Sequence, residues 1–262
     1  MAFTVTARHS GNSGTTSAQT LTTDSQTPTA SSLLLVFFGA QNDSHSQAQV
    51  FQTPTDSGAG LTYTSIVNIT DIPWEGSASF ALGQAAYRAT VGSSPSAFTI
   101  TVDEYAAANV GNYACVCADV TGYDTGTPIV QSKANGATVN PRSDTQAGTV
   151  TLDATPTAGN LIVVGFNSGL NTGGGFASPT AGGGKTFTQL FNQNATWAQG
   201  GLWYRVADGG ESATITCSDV GDQVGVWTAI GVEIKSAGGG GGGPTTGGWP
   251  RVHRAQHQYS LV

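Results

Sequence analysis

The chain contains nearly the same apolar stretch twice. Residues 27–39 read TPTASSLLLVFFG, and residues 155–167 read TPTAGNLIVVGFN, which places the second copy 128 positions after the first. A short, unbroken run of large apolar residues is typical of a central strand that is covered on both faces. The stretch therefore predicts a buried strand at the centre of two equivalent sheets.

Three further segment pairs follow in the same order. PTDSGAGLTYTSIVN (54–68) matches PTAGGGKTFTQLFN (179–192), AAYRATVGSSPSAFTITV (85–102) matches LWYRVADGGESATITC (202–217), and NYACVCADVTG (112–122) matches VWTAIGVEIKS (226–236). A repeat of roughly 110–130 residues has the size of a domain, whereas solenoid repeats span about 20–50 residues. The sequence therefore predicts an internal duplication.

The fold class predicted is all-β. FTITV (98–102) and ATITC (213–217) alternate apolar and polar residues, and glycine-rich turns recur between the apolar blocks. We expect two tandem β-sandwich domains of jelly-roll or immunoglobulin-like type, over residues 1–126 and 127–237, that touch across a short hinge at 126–128. One helical turn at 104–108 is the only helical expectation.

A different kind of sequence follows the second predicted domain. Residues 238–248 are dominated by glycine and predict a flexible linker, because glycine loses the most conformational freedom on ordering. Residues 249–262 (WPRVHRAQHQYSLV) predict a docking peptide, or alternatively a disordered end or an arm that folds back on its own chain. The residues expected to dock are Trp249, Arg251, Val252, Arg254, Tyr259, Leu261 and Val262.

Charge and hydropathy exclude several classes of function. Up to Ala237 the chain has seven basic and sixteen acidic residues, a formal charge of −9, which does not suit nucleic acid. The longest fully apolar run, Leu33 to Phe38, is far shorter than the roughly 20 residues of a membrane span. The N-terminus lacks the features of a secretory signal, so we expect synthesis in a cytoplasm and no membrane insertion.

No catalytic residue, metal site or cofactor is predicted. GGGKT (182–186) resembles a phosphate-binding loop, but Pro179 replaces the first glycine and a strand-like segment follows, which favours a hairpin-type turn. His253 and His257 lack the glutamate of a zinc motif, and Asp219 and Asp222 fit turn carboxylates better than calcium ligands. The three cysteines are interpreted as buried free thiols (Cys115, Cys117 and Cys217).

Four residues are candidates for binding. Trp74 and Trp197 fall in the loop before the Tyr-Arg strand of each copy, where an exposed indole would contact a sugar or a protein. Arg88 and Arg205 follow a tyrosine in both copies and each could clamp a carboxylate. The alternatives are tryptophans that fold over the sandwich edge, and arginines that lie across the sheet and pair with a local acid.

The segments TPTAGNLIVVGF, PTAGGGKTFTQL and WYRVADGGESATITCS resemble the β-sandwich modules of tailed-bacteriophage structural proteins. The resemblance covers most of residues 127–237 and, more loosely, 20–122, and it implies a non-enzymatic virion protein of the minor tail, fibre-associated or capsid-decorating kind. Expected partners are other virion proteins, copies of the same chain in a symmetric array and a host surface glycan. A carbohydrate-binding protein that uses loop tryptophans, and a hydrolase, are the alternative hypotheses.

Overall fold

The computed structural model describes residues 2–12, 20–42, 50–74, 81–103, 111–143, 145–169, 175–193, 198–221 and 224–238. This part of the chain is all-β, without helices, as predicted. The strands of the first half are β1 (Thr4–Asn12), β2 (Thr20–Thr22), β3 (Leu33–Asn42), β4 (Thr55–Asp56), β5 (Thr64–Pro73), β6 (Ala81–Thr90), β7 (Ile100–Asp103) and β8 (Gly111–Thr121). Those of the second half are β9 (Ile129–Ser143), β10 (Gly148–Thr151), β11 (Leu161–Gly169), β12 (Thr188–Gln193), β13 (Ala198–Val206), β14 (Thr214–Cys217) and β15 (Val224–Ile234). The helical turn predicted at 104–108 lies outside the described residues.

Each half contains one large antiparallel sheet and one small sheet. The large sheets have the orders β1-β8-β3-β6-β5 and β9-β15-β11-β13-β12, and the small sheets have the orders β2-β7-β4 and β10-β14. When only the five strands of each large sheet are numbered along the chain, both sheets have the order 1-5-2-4-3. The repeated apolar stretch supplies the central strand of each large sheet, β3 in the first and β11 in the second.

The central strands bury both of their faces. Alternate side chains of β3 enter two different apolar cores, which is why the stretch LLLVFF shows no polar alternation. One set packs under the small sheet (Leu34, Val36, Phe38), and the other set packs against the second half (Leu33, Leu35, Phe37). In β11 the corresponding sets are Ile162, Val164 and Phe166 against Leu161 and Val163. The prediction of a central strand between two layers is confirmed.

The two large sheets pack face to face through one inner core. This core contains Ala86, Val116 and Val120 from the first half, and Leu202, Ile230 and Val232 from the second half. We expected two domains that touch at a hinge, whereas the structure buries a whole sheet face from each half. Burial on this scale couples the halves, because each buried Leu, Ile or Val side chain contributes about 1.5–3 kcal/mol.

Stacked strands follow the pattern of an approximate two-fold axis. β3 lies on β11, β8 on β13, β6 on β15, β5 on β9 and β1 on β12. Gly165 faces Phe37, and Asn167 faces Gly39. Both pairs join positions that correspond under the 128-residue offset, so each position meets its own counterpart. The axis therefore runs parallel to the strands, between β3 and β11, as it would in an isologous dimer.

The strands define two poles of the molecule. At the first pole, called the loop pole, β1, β3, β5, β9, β11 and β12 end. At the opposite pole, called the turn pole, β6, β8, β13 and β15 end, and both ends of the described chain lie there. Ala237 N donates to Gly122 O, and the Lys235 ammonium pairs with Asp124 at 2.9 Å. The chain beyond residue 238 therefore starts from the turn pole.

We predict that Gly165→Ala destabilises the fold through the inner core. A Cβ at this position would lie 2.7 Å from Phe37 Cδ1, so the packed sheets must shift, which costs about 1–3 kcal/mol. Denaturant unfolding of the full chain measures the loss.

Gly92→Ala is the matched control for this measurement. A Cβ at Gly92 meets no atom within 4 Å, so its free energy of unfolding should stay within about 0.5 kcal/mol of wild type. Equal stability of the Gly165→Ala variant and wild type would contradict the packing described for the inner core.

Candidate binding groove around Arg88

The register of the strands separates the two Tyr-Arg pairs. Tyr87 lies opposite Val36, and the counterpart of Val36 in the second half is Val164, which lies opposite Trp203. Trp203, and not Tyr204, therefore corresponds to Tyr87. The prediction that both arginines occupy equivalent positions is wrong by one residue, and one residue moves a side chain to the other face of a strand. Arg88 corresponds to Tyr204.

Arg205 is held in a network of ion pairs. Its Nε donates to Glu211 Oε1 at 2.7 Å, and its terminal nitrogen donates to Asp208 Oδ2 at 2.7 Å. Lys185 Nζ also pairs with Asp208 at 2.7 Å, and this hydrogen bond is the main reason why the pKa of Asp208 lies below its usual value. Only 18% of the Arg205 side chain is exposed. Arg205 therefore pairs with local acids, as in the alternative interpretation, and does not present a free clamp.

Glu211 organises the turn beside this network. Its side chain is fully buried, and it accepts hydrogen bonds from the backbone N–H groups of Asp208 and Gly209. Burial raises the pKa of this carboxyl, but the Arg205 hydrogen bond and the backbone donors outweigh burial and lower the pKa overall. Glu211 acts as a structural anion that closes the turn between β13 and β14.

Arg88 lies in a different environment, on the side of an open surface groove of about 430 Å³. The groove is lined by Gly60, Leu61, Thr62, Thr64, Arg88, Ala89 and Thr90. Arg88 on β6 lies opposite Thr64 on β5, and its side chain is partly exposed. Within the described residues, Arg88 takes part in no hydrogen bond or ion pair.

A short acid-capped turn forms one wall of the groove. The Asp56 carboxylate accepts hydrogen bonds from the backbone N–H groups of Gly58, Gly60 and Leu61, at 3.2, 2.8 and 2.9 Å. Gly60 has φ of 64°, a left-handed conformation that favours glycine. Because the carboxylate is engaged with its own turn, it fixes the shape of the wall next to Arg88.

Trp74 does not form an exposed contact surface. Only 4% of this residue is exposed, so the prediction of a loop indole available to sugars is wrong. The ring packs against Gly225 at the start of β15, and the Arg142 guanidinium carbon lies 4.6 Å from the ring centroid. Trp74 therefore fastens the end of β5 to the second half. Trp197 lies outside the described residues.

The remaining candidates fall into two groups. The proposed linker beyond residue 238 and the whole docking peptide 249–262 lie outside the described residues. The interpretation of the three cysteines as buried free thiols is confirmed. Trp203 and Trp227, inside strands β13 and β15, are core residues. Burial raises the pKa of the Cys217 thiol to about 12. In the described part of the chain, no three His, Cys, Asp or Glu side chains are placed to hold a metal ion.

Sequence reasoning missed a pair of equivalent buried carboxylates. Asp119 accepts a hydrogen bond from the backbone N–H of Thr29 at 2.5 Å, and Glu233 accepts one from Thr157 at 2.9 Å. Thr29 and Thr157 are the same position of the repeated TPTA segment. Asp119 also accepts from Arg8 Nε at 2.7 Å. Asp119 in ADVTG and Glu233 in VEIKS occupy matching positions of the two segments. This match was the signal that could have identified the two carboxylates.

GGGKT forms the hairpin-type turn that we predicted. Lys185 N donates to Gly182 O at 2.9 Å, Gly182, Gly183 and Gly184 all have positive φ, and strand β12 follows. In a phosphate-binding loop a helix would follow the lysine. Lys185 instead pairs with Asp208, so its charge serves the Glu211 turn network.

Comparison with known proteins adds no relative to these observations. No protein-family model and no curated protein matches this chain. In the described residues, no helix has the length and apolar character of a membrane span. The assignment of function therefore depends on the geometry of the chain itself.

We predict that Glu211→Gln lowers the free energy of unfolding by about 1–3 kcal/mol at neutral pH, because it removes the charge that pairs with Arg205. The folded carboxyl has a lowered pKa, so its contribution is complete above the unfolded value of about 4.3. The difference between variant and wild type should shrink as the pH falls below about 4. Denaturant unfolding at several pH values provides the measurement.

Asp153→Asn provides the control for charge alone. Asp153 pairs with Lys133 in an exposed ion pair, so its loss should cost less than about 1 kcal/mol. A Glu211→Gln cost that does not change between pH 7 and pH 3 would contradict the role given to the Glu211 charge.

Proposed function

We propose that this chain is a structural protein of a bacteriophage virion, displayed on the particle surface and anchored partly by its C-terminal arm. Minor tail or adhesion accessory proteins and capsid decoration proteins both fit this proposal. The observation that carries it is the separation of the two poles. The chain continues towards the proposed arm from the turn pole, while β3, β5, β11 and β12 end at the loop pole. Anchoring at one pole would leave the other pole directed outwards.

An origin by internal duplication is part of this proposal. The matching strand orders and the corresponding pairs Phe37–Gly165 and Gly39–Asn167 support it. In a symmetric dimer of identical sheets, two phenylalanines would meet at one of these positions and two small or two polar residues at the other. The divergence to Phe37–Gly165 and Gly39–Asn167 suits two halves that always pair within one chain.

A binding role is favoured over catalysis by how the charged groups are used. The buried carboxylates all accept backbone hydrogen bonds: Glu211 from its own turn, and Asp119 and Glu233 from the distant segments at Thr29 and Thr157. Arg8 and Arg205 pair with two of them. These contacts are structural, and they support a scaffold rather than a reactive centre. Assembly into a symmetric array on the particle agrees with such a role.

Carbohydrate binding is the second candidate function. The burial of Trp74 removes one of the two indoles on which that hypothesis was built. The open groove around Arg88 gives the hypothesis a different location, since it combines a free cation with threonine hydroxyls. Arg88 lies two residues before the end of β6, so this groove lies towards the turn pole, the end of the molecule proposed to be anchored. Sugar binding there would be separate from any contact made through the outward loop pole.

Deletion of residues 239–262 tests the anchoring role. We expect the truncated protein to fold with unchanged stability, because both large sheets end before residue 235, and to lose most of its incorporation into virus particles. Quantitative mass spectrometry of purified particles, reconstituted with wild-type or truncated protein, measures incorporation.

A variant with Gly238–Gly243 replaced by six serines controls for linker composition. Serine keeps the length and flexibility of the linker, so incorporation should remain at the wild-type level. Equal incorporation of the truncated and wild-type proteins would contradict anchoring by the arm. Failure of the wild-type protein to join particles would contradict the virion role itself.

A further inference from the structure

We propose that the Arg88 groove binds an acidic saccharide, with the Arg88 guanidinium pairing the sugar carboxylate. Threonine side chains around the groove would bond the hydroxyl groups of the same sugar. This inference rests on the carbohydrate-binding function proposed as the second candidate, and it names the class of sugar. It concerns only residues of the first half, far along the chain from the C-terminal arm.

The pairing of charges singles out Arg88. Up to Ala237 the chain has seven basic side chains, and five of them form ion pairs. These pairs are Arg8–Asp119, Lys133–Asp153, Lys185–Asp208, Arg205–Glu211 and Lys235–Asp124. A sixth, Arg142, lies over the Trp74 ring. Within the described residues, Arg88 is the one basic side chain without such a contact, although the body carries an excess of acids.

The chemistry of a guanidinium favours a carboxylate as its partner. Its planar fork of N–H donors matches the two oxygens of a carboxylate, so one ligand group satisfies several donors at once. Arg88 lies two residues before the end of β6, where the strand is still paired on both sides, with Leu35 on β3 and Thr64 on β5. A side chain based on a paired strand loses less freedom on binding than one on a loop, which favours recognition at this position.

The other lining residues favour a sugar over a peptide. Thr62, Thr64 and Thr90 are exposed, and each offers a hydroxyl that can donate and accept a hydrogen bond. Leu61 is partly exposed and supplies a small apolar contact for the C–H face of a ring. The groove has no large exposed hydrophobic side chain to anchor a peptide. Its volume of about 430 Å³ lies within the range of about 300–1,000 Å³ for small-ligand sites.

The second half lacks the same site. Tyr204 occupies the position of Arg88, because Thr64 lies opposite Arg88 and its counterpart Thr188 lies opposite Tyr204. Lys185 occupies the position of Leu61, and its ammonium pairs with Asp208. The structure therefore predicts one saccharide site per chain, although the chain contains two halves of the same topology.

Titration of the full chain with glucuronate, glucose and acetate tests the inference. We expect saturable binding of glucuronate with one site per chain, followed by calorimetry or by protein NMR shifts, and much weaker binding of glucose and acetate. Arg88→Gln should weaken glucuronate binding by about tenfold or more, because it removes a charge-assisted pair. Arg88→Lys should weaken it by a smaller factor, because the charge remains but the fork is lost.

Lys133→Gln is the matched control, because it removes one positive charge outside the groove. It should leave glucuronate affinity within about twofold of wild type. Equal weakening by both charge variants, equal binding of acetate and glucuronate, or two equivalent sites per chain would overturn the inference. The described lining of the groove contains no residue of the arm, so Arg88→Gln should still join virus particles. Absence of glucuronate binding by the wild-type chain, with normal incorporation, would refute the groove alone, and failure of the wild-type chain to join particles would refute the virion role alone.

Discussion

The apolar core between the two large sheets is the constraint on which the rest of the structure depends. It requires a sheet that is apolar on both faces, and only a run such as LLLVFF or LIVVGF satisfies that requirement. The outer faces then need their own cover, which the small sheets supply. The same core aligns the strands of both halves, so that β3 and β11 both end at the loop pole and the chain continues past residue 238 from the turn pole.

Buried polar residues make the inner interface specific, at a cost in stability. Gln41, Gln84, Asn112, Asn167 and Thr228 are buried on the inner faces towards the loop pole, and each has a side-chain atom without a hydrogen-bond partner among the described residues. Such groups cost stability that the apolar part of the core must offset. They also penalise sliding of one sheet over the other, because Asn167 fits directly over Gly39. The halves are therefore matched to each other in one alignment.

The sequence was sufficient for the elements but not for their placement. The apolar runs, the alternating segments and the glycine turns predicted the strands correctly, because these patterns depend on local burial. The alignment of Tyr87-Arg88 with Tyr204-Arg205 was wrong, because matching the identical residues shifts β13 by one residue from its observed register. The burial of Trp74 could not be predicted either, because it depends on packing against Gly225, about 150 positions later in the chain. The sequence also could not show that Arg88 has no ion pair among the described residues, because this depends on the contacts of the other six basic side chains up to Ala237.

Cleavage of the folded chain in the turn between the halves tests the central claim most directly. A protease site inserted between Gly126 and Thr127, both exposed, would allow the chain to be cut between the two large sheets without altering a strand. After cleavage, the mass and elution volume of the product report whether the halves stay together. The account predicts a 1:1 complex that separates only on denaturation. Halves that part under native conditions, or that each pair with a copy of themselves, would contradict it.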